Sequence, residues 1–327
     1  KTHFLLHIYL LVYIKIIPPR PKYIIYTENL NQLSMERRNF KNKKGENFSY
    51  LADDTSSTDI NLVFFHATGF NANTYRILLE KMKVKFEKKI NIYALDQRGH
   101  GLSLASAEPS KLKSWNVFVE DGMEFIDSLE GHIICCGHSM GSIVAAKIAS
   151  LLPRRVSHLF MIEPVLYGPW ESLKFRFFSL IRYNRKLTIA DGAAKRRSLF
   201  NTLNEAKESY TGRGAFTTWT EEWIENYLEG GMIETNEGME LSCSPAWEAA
   251  TFRSSSMDTW KYLKQIKIKV LVSYGNFGST FSAQARKVLF KLGSNWNSRY
   301  HPKSSHFLPM EFSDLIIQDL EDYIQNH

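Results

Sequence analysis

Cysteine is scarce in this chain, three in 327 residues, and the three are badly placed for crosslinking. Cys135 and Cys136 are neighbours on an apolar run and Cys243 stands alone, so no disulfide framework is expected and they read as small apolar side chains. That usage permits a reducing compartment. Long hydrophobic runs are also missing. The apolar stretch Phe4 to Ile17 has 14 residues, broken by His7 and Lys15, short of the roughly 20 that a spanning helix needs. It has the length of a signal-peptide core, yet no clear basic segment precedes it and no small-x-small site follows. The ten histidines include no H-E-x-x-H and no Cys/His pair at zinc spacing, and the glycines form neither G-x-G-x-x-G nor a P-loop. No metal and no cofactor is called for. Internal repeats and low-complexity tracts are absent too.

What the chain does have in excess is positive charge, +7 formally, but it is confined to one end. Residues 1 to 46 hold nine Lys or Arg against three acids, so everything from Asn47 onward is nearly neutral. A basic N-terminal tail of 46 residues is therefore expected rather than a nucleic-acid-binding face. The first methionine is Met35, and a start there leaves 293 residues, enough for the whole fold. On that reading residues 1 to 34 are upstream sequence outside the native protein, and the chain is cytoplasmic. If instead the Phe4 to Ile17 stretch is a degenerate signal or anchor, the protein is secreted or membrane-anchored, and that stretch is its one route to a membrane.

Past the tail, Asn47 to Asp54 suits an N-terminal strand, and a regular alternation follows. Strand-like runs fall at Ile60 to Phe65, Ile90 to Leu95, His132 to Cys136, His158 to Ile162 and Ile268 to Tyr274. Helix-like segments at Thr74 to Phe86, Lys111 to Leu129 and Met140 to Leu152 separate the first four. Such alternation implies a parallel sheet with helices on both faces and ligands at the carboxyl ends of the strands. Between Glu163 and Ile268 it stops for about a hundred residues, too long for a structureless loop. Residues 165–260 are expected to form an aromatic-rich helical cap, leaving 47–164 and 261–327 as the α/β core. The charge of the cap is split: Lys174 to Arg197 carries eight basic residues, whereas Glu205 to Glu248 carries ten glutamates.

Three turns sit at the ends of strand-like runs: His66-Ala67-Thr68-Gly69-Phe70, Asp96-Gln97-Arg98-Gly99-His100-Gly101, and Gly137-His138-Ser139-Met140-Gly141. The last is a G-x-S-x-G elbow, in which a strained serine is held out of the sheet between glycines that let strand and helix approach. With the three in this order, the chain resembles the α/β-hydrolase family from about Leu62 to the C-terminus. The resemblance implies an α/β-hydrolase fold with Ser139 as nucleophile. A serine hydroxyl needs a general base, and the base needs a group that holds its tautomer. The family's chain order of Ser, acid, His implies His306, in Ser304-Ser305-His306-Phe307-Leu308-Pro309-Met310-Glu311, as the base, with His301 as its rival. The acid departs from the commonest pattern. After Val270 to Tyr274 the family usually has Gly-x-x-Asp, whereas here Gly275-Asn276-Phe277-Gly278-Ser279-Thr280 holds no aspartate. Glu163, at the end of the preceding strand, is the preferred acid, ahead of Asn276, Glu248 and Asp258. The backbone amides of Thr68 and Met140 are implied to hold the oxyanion. His66, Asp96 and Arg98 read as structural.

The expected protein is thus a cofactor-independent serine hydrolase, a carboxylesterase or lipase-like enzyme. It would cleave small-molecule esters with apolar acyl or alcohol groups of small to medium size through an acyl-enzyme. Thioester or carbon-carbon hydrolysis and acyl transfer use the same groups, and a non-catalytic ligand binder is the rival from another class.

Overall fold

The computed structural model describes residues 35–56, 58–86, 89–173, 188–255 and 258–325. Residues 1–34, with the apolar stretch Phe4 to Ile17, lie outside the described residues, as does most of the basic run from Lys174. Eight strands form the main sheet in the spatial order β1-β2-β4-β3-β5-β6-β10-β11. They are β1 (Glu36–Lys41), β2 (Asn47–Asp53), β3 (Ile60–Phe65), β4 (Asn91–Leu95), β5 (His132–His138), β6 (Val156–Ile162), β10 (Lys269–Phe277) and β11 (Trp296–Ser305). From β4 to β11 every pairing is parallel, whereas β1 and β2 run antiparallel at one edge.

A parallel sheet is covered on both faces, so its strands are apolar on both sides. β3 shows this. Leu62 and Phe64 point into a core built with Leu78, Leu79 and Met82 of α1 (Arg76–Lys85) and Ile316 and Leu320 of the C-terminal helix Ser313–Gln325. Val63 and Phe65 point the other way, into a core with Phe118 and Phe125 of α2 (Asn116–Asp127) and Ile143 and Val144 of α3 (Met140–Leu151). The period of two along the strand therefore assigns each helix pair to its own face.

Two features differ from the sequence-based expectation. Residues 36–46 are not tail: β1 pairs with β2 in register from Glu36↔Ala52 to Lys41↔Asn47. Its basic side chains are used by the fold. Arg37 reaches Asp96 at 2.6 Å and Arg38 reaches Asp54 at 2.7 Å, and charged residues are what an edge strand needs to resist further pairing. Second, the insertion between β6 and β10 is not purely helical. It carries a three-stranded antiparallel sheet, β7 (Leu199–Phe200), β8 (Met232–Thr235) and β9 (Gly238–Leu241), in the order β7-β9-β8. The reversal between β8 and β9 is closed by Asn236-Glu237 with Gly238 at φ 128, a backbone that favours glycine.

The insertion grips the carboxyl edge of the main sheet. Its helix Glu221–Gly231 buries Trp223, Ile224, Tyr227 and Leu228 on one face, and Asn71 and Asn73, from the loop after β3, donate to the carbonyls of Tyr227 and Asn226 at 2.9 Å each. From the helix Pro245–Arg253, Trp247 donates its indole N–H to the carbonyl of Arg98 at 3.0 Å. Aromatic side chains of the insertion thus cover the loops that leave β3 and β4.

Candidate active site

The elbow between β5 and α3 places Ser139 at φ 57 and ψ −117. Among the described residues only Ser139 and Glu163 are non-glycine residues with positive φ. Each such backbone costs about 1–3 kcal/mol and persists only where its surroundings over-determine it. Here they do. The Ser139 amide donates to the carbonyl of Ile162 at 2.9 Å, and the Glu163 amide donates to that of Ser273 at 2.9 Å. The Ser142 hydroxyl ties the first turn of α3 to both strands, contacting the Gly137 carbonyl at 2.6 Å and accepting from the Ile162 amide at 3.0 Å. The flanking glycines are sterically required. A Cβ on Gly141 would fall 2.0 Å from the carbonyl oxygen of Phe65, and one on Gly137 would fall 2.4 Å from Gly141 backbone.

His306 follows β11 and sits between serine and carboxylate. Its Nε2 lies 3.0 Å from Ser139 Oγ and its Nδ1 lies 3.2 Å from Glu163 Oε2. The second oxygen of Glu163 accepts from the Gly275 amide, so the fully buried carboxylate is held at both ends. Ser139 is itself buried to 6 % exposure, which removes most competing water. Thr68 and Met140 also meet: the Thr68 hydroxyl lies 3.3 Å from the Met140 sulfur. The Met140 amide belongs to the first turn of α3, where amides have no partner inside the helix.

The other candidates are committed elsewhere. Asn276 is exposed at the end of β10. Glu248 pairs with Arg196 at 3.1 Å and Asp258 with Lys147 at 2.6 Å. His301 pairs with Asp319 at 2.7 Å. Asp96 accepts from the amides of Ala72 and Leu102 and from Arg37, while Arg98 is bound to Glu46 at 2.6 Å and Asp121 at 2.7 Å. Burial lowers His66 to about 4, so its ring is neutral. In that state its Nδ1–H donates to the Ala67 carbonyl at 2.8 Å and its Nε2 accepts from the Gln97 amide at 2.9 Å, joining the first two turns.

One contact was not anticipated. Thr280 places its hydroxyl 3.3 Å from His306 Nδ1 and 3.2 Å from the Pro164 carbonyl. It occupies the loop after β10 in which the commonest family pattern carries its aspartate. The missing Asp is a sequence signal that this loop faces the histidine, but composition alone does not say which residue takes its place.

A mostly parallel sheet with a serine on the turn from strand to helix, a histidine and a carboxylate on later loops define the architecture of an α/β hydrolase. Comparison with known proteins agrees. A family model described as serine aminopeptidase, S33, matches residues 56–211. The 2-(acetamidomethylene)succinate hydrolase of Mesorhizobium japonicum is 23 % identical over 267 residues, 80 % of this chain and 87 % of that protein. The pimeloyl-[acyl-carrier protein] methyl ester esterase of Legionella pneumophila is 21 % identical, over 81 % of this chain and 95 % of its own length. Among solved structures, an E-2-(acetamidomethylene)succinate hydrolase superposes with a TM-score of 0.73 at 20 % identity, covering 89 % of this chain and all of the other. A thioesterase domain from the curacin biosynthetic pathway gives 0.68 at 15 %, with 88 % and 100 % covered. The chain has the α/β-hydrolase fold.

Proposed function

We propose that the protein is a serine hydrolase that cleaves carboxylic esters of small to medium apolar groups through an acyl-enzyme. The observation that carries this is the line of contacts from Ser139 through His306 to Glu163, at 3.0 and 3.2 Å. His306 keeps its Nδ1–H toward Glu163, which leaves the Nε2 lone pair facing the serine hydroxyl. Ser139 attacks the ester carbonyl while His306 takes its proton, Glu163 stabilises the imidazolium, and the amides of Thr68 and Met140 receive the oxyanion. Collapse releases the alcohol, which regains a proton from His306, and water repeats the sequence on the acyl-enzyme. The ester preference rests on the methyl ester esterase among the relatives and on the apolar surroundings. Phe70, beside the Thr68 turn, packs against Trp219 of the insertion at 5.2 Å, and Phe307, next to His306, stands 6.4 Å from Phe70. An apolar wall favours groups that gain by leaving water.

Hydrolysis of a chain-length series of p-nitrophenyl esters tests the reading. Ser139→Ala is expected to lower kcat by on the order of 10⁵ or more, and Glu163→Gln by on the order of 10⁴, since a neutral amide cannot stabilise the imidazolium. Turnover that survives Ser139→Ala would exclude the acyl-enzyme, and absence of turnover with every ester would turn the search to another bond type.

A further inference from the structure

Two buried side chains beneath the site take no part in that chemistry, yet they link two pieces of it. His138, the residue before the serine, is fully buried, as is Tyr75 from the short helix after β3. His138 Nε2 lies 2.8 Å from the backbone carbonyl of His306. A carbonyl only accepts, so Nε2 carries the proton. Nδ1 is then an acceptor, and the Tyr75 hydroxyl, 2.7 Å away, donates to it. The Tyr75 oxygen in turn accepts from the Ala67 amide at 3.3 Å. Burial pushes the His138 ring well below, and the Tyr75 phenol well above, their ordinary ranges, so both stay neutral and the direction of each bond is determined.

The chain therefore runs Ala67 N–H to Tyr75, Tyr75 O–H to His138, and His138 N–H to the carbonyl of His306. It begins one residue before Thr68, passes through the residue before Ser139, and ends on the general base of the proposed reaction. The rings follow the same path: Tyr75 meets His138 edge-on at 5.8 Å, and His138 lies 5.1 Å from His306. Phe70 and Phe307, 6.4 Å apart, also join the turn after β3 to the loop after β11, but by ring packing alone. Consecutive bonds of this kind polarise one another, and the dry surroundings leave each group one alternative, an unsatisfied buried atom.

We propose that Tyr75 and His138 are positioning residues, a relay that sets the oxyanion turn and the His306 loop to a common register around Ser139. This rests on the serine-hydrolase reading above. Neither residue would touch substrate, so the relay acts on the placement of the base and donors during reaction rather than on substrate binding. Misplacement of about 1 Å costs on the order of 10² in rate.

The test uses the full chain with p-nitrophenyl butyrate and, separately, a fluorophosphonate probe that labels an activated serine. Tyr75→Phe removes one oxygen without changing volume, and His138→Leu removes both nitrogen contacts. Tyr75→Phe is expected to lower kcat about 10-fold with KM within about twofold of wild type, and His138→Leu about 100-fold. The double variant should be no slower than His138→Leu alone, because the relay is broken once. Labelling rates should follow kcat. Should His138→Leu fail to fold, Tyr75→Phe decides alone. Wild-type kcat in Tyr75→Phe, a rise in KM in place of the fall in kcat, or losses that multiply in the double variant would overturn the relay while leaving the hydrolase intact. A wild-type protein that neither labels nor turns over ester would instead overturn the hydrolase reading and the relay with it.

Discussion

At the scale of single residues, the carboxylate that meets His306 stands one strand before the commoner position. Glu163 is reached by turning the backbone to φ 45 immediately after β6, and the carboxylate is then shared between His306 Nδ1 and the Gly275 amide. Thr280 also faces Nδ1 from the next loop, where the commoner arrangement has its aspartate. The two positions look at one nitrogen from two strands. A carboxylate introduced at Thr280 is therefore expected to replace one removed at Glu163. In the Glu163→Gln background, Thr280→Asp should recover about 10-fold or more of the roughly 10⁴ lost in kcat. Kinetics of the single and double variants check this, and a double variant no faster than Glu163→Gln would show that Thr280 does not present its side chain to the ring in a usable direction.

At the scale of elements, the elbow depends on how closely α3 approaches β3. Gly141 sits against the carbonyl of Phe65, and its neighbours cannot yield because the obstructing atoms are backbone. Gly141→Ala is expected to destabilise the protein by about 3 kcal/mol or more, at the upper end of overpacking effects. Chemical denaturation followed by circular dichroism gives the number, and a loss below about 1 kcal/mol would mean that β3 and α3 can part without cost. The same scale explains what the sequence concealed. The strands β3 to β6 and β10 were legible, because a buried parallel strand is a short apolar run bounded by turn residues. β1 was not, since Glu-Arg-Arg-Asn-Phe-Lys has the composition of a solvated tail and becomes a strand only by pairing with β2. The small sheet in the insertion escaped for a related reason: β7 has two residues, too few for any periodicity.

At the scale of the whole molecule, buried neutral histidines link folding to pH. Burial lowers His66 to about 4 and His100 to about 3, and their rings lie 5.0 Å apart at the junction of the first two turns. In the unfolded chain both titrate near 6.5. The unfolded state then binds more protons than the native state between those limits, so the stability contribution is complete above about pH 6.5 and is lost as pH falls through about 4 and 3. The expected loss is on the order of a few kcal/mol. The diagnostic interval is pH 6.5 to 5, well above Glu46, which Arg98 holds near 2, although burial raises the paired carboxyls of Glu80 and Asp121. Tm should fall steadily across it, and a flat profile would show that the two rings admit water or protons without unfolding. No helix among the described residues is long and apolar enough to cross a membrane.

Local sequence determined that β3 to β6 and β10 are strands, that Ser139 stands at a strained turn, and that His306 lies on a loop able to meet it. These follow from periodicity, glycine placement and chain order over a few residues at a time. Which carboxylate meets the histidine was decided only in three dimensions. Glu163 and His306 are 143 positions apart, and their meeting depends on β6, β10 and β11 lying side by side with their carboxyl ends aligned. The contacts of Thr280, Tyr75 and His138 were hidden for the same reason. Each is an ordinary residue in its own neighbourhood, and acquires its partners from loops that only the folded sheet brings together.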